Sequence, residues 1–119
     1  MKNTARSQLG RVQVSDEAIA QMASVAALRV AGVAGLGRGG GMETLAQVLG
    51  VDRGSGGVVV ETAGRAVDLR MSLLVEFGSD IAELGVSVQE AVQEAVESMT
   101  GLEVREVDVL IQGVRPRSR

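Results

Sequence analysis

Residues 65–78 read RAVDLRMSLLVEFG. Val67, Leu69, Met71, Leu73, Val75 and Phe77 fall on one side of an extended chain, and Asp68, Arg70, Ser72 and Glu76 fall on the other. That period-two alternation describes a strand with one face turned to a core. Over Arg65–Phe77 it would run about 43 Å at ~3.3 Å per residue, so it is expected to bend or to project past its neighbours.

Downstream, Gly78 ends the strand, and Asp80 and Glu83 form a D-x-x-E capping pattern at a helix start. Ile81, Leu84, Val88, Val92, Ala95 and Met99 make one apolar stripe, with Glu83, Glu90, Glu94 and Glu97 on other faces. Gly85 is a weak point inside this helix and Gly101 closes it. Leu102 to Val114 reads as a last strand with Val107, Val109 and Ile111 on one face. Leu102 and Val104 are out of phase with them by one residue, which predicts a bulge near Arg105.

Upstream, Val58–Thr62 is a β-branched run joined to the long strand by a turn at Ala63-Gly64. Gly50–Gly57 and the glycine-rich 37–41 stretch read as loops, with a short helix over 42–49 that places Leu45, Val48 and Leu49 on one side. Val33-Ala34-Gly35 reads as a strand fragment. Ser15 is the N-cap of a first helix, with Asp16 and Glu17 in its first turn and Ile19, Met22, Ala23, Ala26 and Val30 on its apolar face, ending at Gly32. Arg11–Val14 alternates as a short strand with Val12 and Val14 inward. Residues 1–8 are expected to be a disordered tail, 9–114 a single domain, and 115–119 a basic tail. The order β-α-β-β-α-β gives an α+β two-layer sandwich, about four strands with two main helices on one face, close to the split β-α-β arrangement.

Composition excludes much chemistry. The 119 residues contain no Cys, His, Trp or Tyr and one Phe. There is no disulfide framework, thiolate nucleophile or Cys-ligated metal, and the commonest general base and metal ligand are missing. The serines have no His to activate them, and the only lysine, Lys2, lies in the tail. No P-loop or D-x-D-x-D-G calcium loop is present. Gly35–Gly40 fits G-x-G-x-x-G, but in a chain with 16 glycines the match is cheap and reads as a connector. Neither a cofactor nor a catalytic or metal-binding residue is expected, and the chain reads as a non-enzyme.

The net charge is -3, unevenly placed. Lys2, Arg6 and Arg11 lie near one end and Arg115, Arg117 and Arg119 at the other; residues 12–114 carry the other six basic residues and all fifteen acidic ones, a net of -9. An acidic body repels nucleic acid and anionic lipid, so no strong nucleic-acid signal exists. Phe77, the lone aromatic, is expected in the core. Met1–Leu9 holds no apolar leader segment, and no run reaches the roughly 18 apolar residues that cross a bilayer. The chain reads as cytoplasmic, with any membrane association coming through a partner.

Several pieces recur in a characteristic order. They are Gly10-Arg11-Val12-Gln13-Val14-Ser15 before an Ala-rich helix, Val30-Ala31-Gly32-Val33, and the long strand closed by Phe77-Gly78. Val88-Gln89 with Val92, Ser98-Met99-Thr100-Gly101-Leu102, and Val107-Asp108-Val109 follow. Over residues 9–114 this set resembles the alkaline shock protein family, the Gram-positive cell-envelope stress response proteins. Asp108 stands where an Asn is often found and Phe77 where a Tyr is common. The resemblance implies a small, non-enzymatic, cytosolic protein of envelope homeostasis, self-associating, and held at the membrane by a separate small membrane protein. From the residues themselves, Leu74 and Leu110 are apolar positions on otherwise polar strand faces, and are expected at a self-association surface. The alternative reading is a small regulatory module that binds RNA or a metabolic enzyme.

Overall fold

A computed structural model describes residues 3–37 and 56–117, with side chains from residue 7 onward. The strands are β1 (Asn3–Ser7), β2 (Gly10–Val14), β3 (Val33–Leu36), β4 (Val58–Ala63), β5 (Ala66–Glu76) and β6 (Glu103–Arg115); the helices are α1 (Asp16–Leu28) and α2 (Ile81–Thr100).

β5 is the centre of the sheet, as its alternation requires. Val67, Leu69, Met71, Leu73 and Val75 are each no more than 1% exposed. β6 runs parallel to β5 along its whole length, from Ala66↔Glu103 to Glu76↔Arg115. β5, α2 and β6 therefore form a direct βαβ crossover with adjacent strands, not the split arrangement expected. The other side of β5 is shared. β4 pairs antiparallel with its first half (Val58↔Met71 to Ala63↔Ala66), and β3 pairs antiparallel with its second half (Leu36↔Leu73, Val33↔Val75).

β3 and β4 thus behave as one strand interrupted in the middle. The two ends meet at Ser72, whose carbonyl accepts from the Gly37 N–H at 2.7 Å and whose N–H donates to the Gly57 carbonyl at 2.8 Å. Position 57 requires glycine at this splice, and Gly37 is crowded by a side chain. A Cβ on Gly37 would run into the Gln112 side chain, and one on Gly57, at φ +88°, would run into the Gly37 carbonyl. The expected helix over 42–49 and most of the two flanking loops lie outside the described residues. Gly35 and Leu36, read as part of a connector, are in β3.

Both helices cover one face of this sheet. Ser15 caps α1 by accepting from the Ala18 N–H at 3.0 Å, and Asp80 caps α2 by accepting from the Glu83 N–H at 3.2 Å. Gly101 ends α2 in the left-handed conformation at φ 74°. α1 buries Ile19, Ala20, Ala23, Ala26 and Ala27, and its buried Ser24 hydroxyl donates to the Ala20 carbonyl. The small residues let the helix lie close to β3, β4 and α2. α2 buries Leu84, Val88, Val92 and Val96. The α+β two-layer architecture with two helices on one face is as expected, and the bulge near Arg105 is present between Val67↔Val104 and Asp68↔Glu106. A second bulge follows between Leu73↔Ile111 and Leu74↔Gly113.

Three details differ from the expectation. The 1–8 segment contains β1, which pairs with β2 in a two-stranded sheet of its own, and Val12 on β2 is 67% exposed. Phe77 is 74% exposed rather than in the core. It follows the last β5 residue, at the end of the sheet where Val114 of β6 is also exposed. Met99 and Ile81 end the α2 stripe in solvent, because the first and last turns extend beyond the buried stretch from Leu84 to Val96.

Two glycine substitutions with opposite signs test this account. A Cβ on Gly85 meets nothing within 4 Å, so Gly85→Ala in α2 should stabilise the fold by about 0.5–1 kcal/mol. Gly57→Ala should destabilise it by about 1–3 kcal/mol. Urea titration followed by circular dichroism measures both.

Candidate functional site

The helices leave the other face of the sheet open. Its residues form rungs across the strands, set by the register. Glu61, Asp68 and Glu106 make one rung; Val59, Arg70 and Asp108 make the next; then come Ser72 with Leu110, and Gly35, Leu74 and Gly113. Leu74 and Leu110, singled out from the sequence, therefore sit on neighbouring rungs of one face. Leu110 is 60% exposed and Val59 50%, while Leu74 is half-buried. Leu74 stands between two glycines, and its Cδ2 lies 3.0 Å from where a Gly113 Cβ would be. A larger residue at either position would cover or displace the leucine. The two glycines thus keep an apolar patch open at the surface.

The acidic rung is the second feature of this face. Like charges directly opposite one another destabilise a sheet, and here three stand in a row. Arg105, the extra residue of the first bulge, relieves the middle one. Its Nη2 donates to Asp68 Oδ2 at 2.8 Å and its Nε to Oδ1 at 3.3 Å. The Asp68 hydrogen bond and charge hold the guanidinium above its ordinary range, with smaller help from Glu103 and Glu106. Glu61 and Glu106 have no ion-pair partner among the described residues. A dent of about 60 Å³ between these side chains holds roughly two waters, and small-molecule pockets are several times larger.

A larger concavity, about 430 Å³, opens at the start of α2, where Glu76, Asp80 and Glu83 face Arg117. Asp80 is already occupied as the helix cap. Among the described residues no group of three or more His, Cys, Asp or Glu is arranged to hold a metal ion. Gly37, inside the G-x-G-x-x-G match that reads as a connector, has its N–H taken by the Ser72 carbonyl of the sheet.

The outer edge of β6 is treated differently from its face. Three α2 side chains at four-residue spacing reach over it. Gln89 donates to the Val107 carbonyl at 3.0 Å, Gln93 to the Val104 carbonyl at 3.5 Å, and Glu97 accepts from the Val104 N–H at 2.9 Å. These bonds occupy backbone groups that would otherwise be open to another strand. Glu97, which the helical periodicity places off the apolar stripe, thus serves a strand edge. Its periodicity with Gln89 and Gln93 was visible, but the edge they serve appears only once β6 is placed beside α2.

With this geometry in place, comparison with known proteins is informative. A family model described as having a cell envelope-related function matches residues 4–116. The chain belongs to the alkaline shock protein 23 family. It is similar to the uncharacterized proteins YloU and YqhY of Bacillus subtilis (strain 168). YloU is 32% identical over 92% of this chain and 92% of its own length; YqhY is 31% identical over 90% of this chain and 78% of its own. Solved structures of MamM CTD resemble the chain at a TM-score of 0.49. A nickel form is 20% identical over 86% of this chain and 99% of its own; a zinc form is 19% identical over 87% of each. As a family member the chain has a cell envelope-related function, and no helix among its described residues is long and apolar enough to cross a membrane.

Two substitutions probe the rung and the edge. Arg105→Ala should lower stability slightly at low salt and by less at high salt, read by urea titration, because the pair is solvent-exposed and screened. Glu97→Ala removes the acceptor of the Val104 N–H. Exchange of that amide should accelerate about tenfold, measured by NMR.

Proposed function

We propose that this protein is a non-enzymatic structural or adaptor protein of the cell envelope, working through self-association and protein–protein contacts on the open face of its sheet. The observation that carries this reading is the Leu74–Leu110 patch, kept clear by Gly35 and Gly113 on a face that neither helix covers. An apolar patch flanked on one side by Arg70, Asp108 and the acidic rung fits a protein interface with an apolar core and a polar margin. The family's envelope-related description sets the context. On this reading, membrane association comes through a separate membrane protein docking on the same domain, and the domain itself resides on the cytoplasmic side. Against the alternative of an RNA-binding module stands the Glu61–Asp68–Glu106 rung, which repels a phosphate backbone.

Leu74→Glu and Leu110→Lys test the face. Leu110 is exposed in a single copy, so Leu110→Lys should change folding stability by less than about 0.5 kcal/mol. The dissociation constant for self-association should rise at least about tenfold, a loss of ~1.4 kcal/mol. Sedimentation equilibrium reads the constant directly. Wild-type mass for both variants would reject the face as the contact.

A further inference from the structure

The β1–β2 hairpin stands apart from the main sheet. Its strands pair only with each other, Leu9 at the turn is fully exposed, and Val14 alone of β2 packs on the core. A lone two-stranded hairpin is marginal in water. The register of this one sets Arg6 opposite Arg11, two positions of like charge in the sequence. Residues 1–14 contain no Asp or Glu, and Arg11 has no ion-pair partner among the described residues. The hairpin is thus a basic arm with too little of its own to hold it.

The open face of the sheet carries the opposite fault. Glu61, Asp68 and Glu106 stand in one rung, and Arg105 answers only Asp68. A rung of like-charged arginines and a rung of like-charged carboxylates relieve each other when they meet.

They do not meet within one chain. β2 ends at Val14, Ser15 is already the cap of α1, and α1 starts at Asp16, so no linker separates arm from helix. α1 packs on the inner face of the sheet, with the sheet itself between it and the acidic rung. We infer that the β1–β2 hairpin is an exchange arm: Arg6 and Arg11 of one copy dock on the Glu61–Asp68–Glu106 rung of a second copy. This deepens the proposed self-association by naming the segment that enters the open face and the charges that seat it. It rests on that reading.

Charge exchange in the full chain tests it. Arg6→Glu with Arg11→Glu reverses the arm; Glu61→Arg with Glu106→Arg reverses the face and leaves Asp68 to Arg105. Circular dichroism verifies that both double variants fold. Each alone should self-associate at least about tenfold more weakly than wild type in sedimentation equilibrium at low salt. An equimolar mixture should recover wild-type assembly, since every arm then finds a face of opposite sign. If the reversed arm assembles like wild type while Leu110→Lys does not, the arm is wrong and the apolar face stands. If wild type is monomeric throughout, both the arm and the self-association reading fail. If wild type binds phosphatidylglycerol vesicles, the reversed arm does not, and assembly is unchanged, the arm contacts lipid and the exchange is refuted.

Discussion

The backbone of β5 is hydrogen-bonded on both sides, and its inner face is sealed by two helices. Meeting both demands fixes nearly every other element. The parallel side needs a crossover connection, which α2 supplies, and the length of α2 then sets where β6 begins. The antiparallel side needs a partner as long as β5. No single segment provides one, so β3 and β4 divide it and meet at Ser72. The helices follow from the side chains: five nearly inaccessible residues on one face of β5 must be covered. The Ala-rich surface of α1 and the Leu/Val stripe of α2 are the apolar surfaces available to cover them.

Glycine has three separate tasks in this arrangement. At Gly57 it permits a strand to be interrupted without losing the bonds on either side of the gap, because the Gly37 backbone approaches closer than a Cβ allows, and at Gly37 it leaves room for the Gln112 side chain. At Gly35 and Gly113 it leaves room on both sides of Leu74, so an apolar side chain stays accessible on an open face. At Gly101 it supplies the left-handed turn that stops α2 and returns the chain to β6. A composition with 16 glycines and one aromatic thus supports a close-packed core of Val, Leu and Ala beside a flat, clear surface.

The two exposed features of the sheet are managed in opposite ways. The β6 edge, where unpaired backbone would recruit strands without discrimination, is partly occupied by Gln89, Gln93 and Glu97. The open face carries apolar side chains and a row of carboxylates of which only Asp68 is ion-paired among the described residues. Closing an indiscriminate contact while leaving a patterned one is consistent with an interaction module whose partners are chosen by side chains.

Alternation along 65–77, the stripe of α2 and the Ser15 and Asp80 caps were legible in the sequence, because they depend on neighbours within a few residues. They determined the element types, the α+β class and the buried side of β5. The phase slip at Arg105 likewise revealed a bulge before any partner was known. Leu74 and Leu110 could be marked as misplaced apolar residues on polar faces. Only tertiary structure brought them onto neighbouring rungs, set Glu61, Asp68 and Glu106 in a row, opened Gly35 and Gly113 around Leu74, and turned Glu97 toward a strand edge. Each of these depends on register between strands distant in sequence. A shift of one residue would send every side chain to the opposite face. Phe77 shows the same limit: its period assigned it to the core, but it lies just past the end of β5 and is exposed. Local pattern settles what each segment is, while the packing of distant segments settles which of its residues are covered.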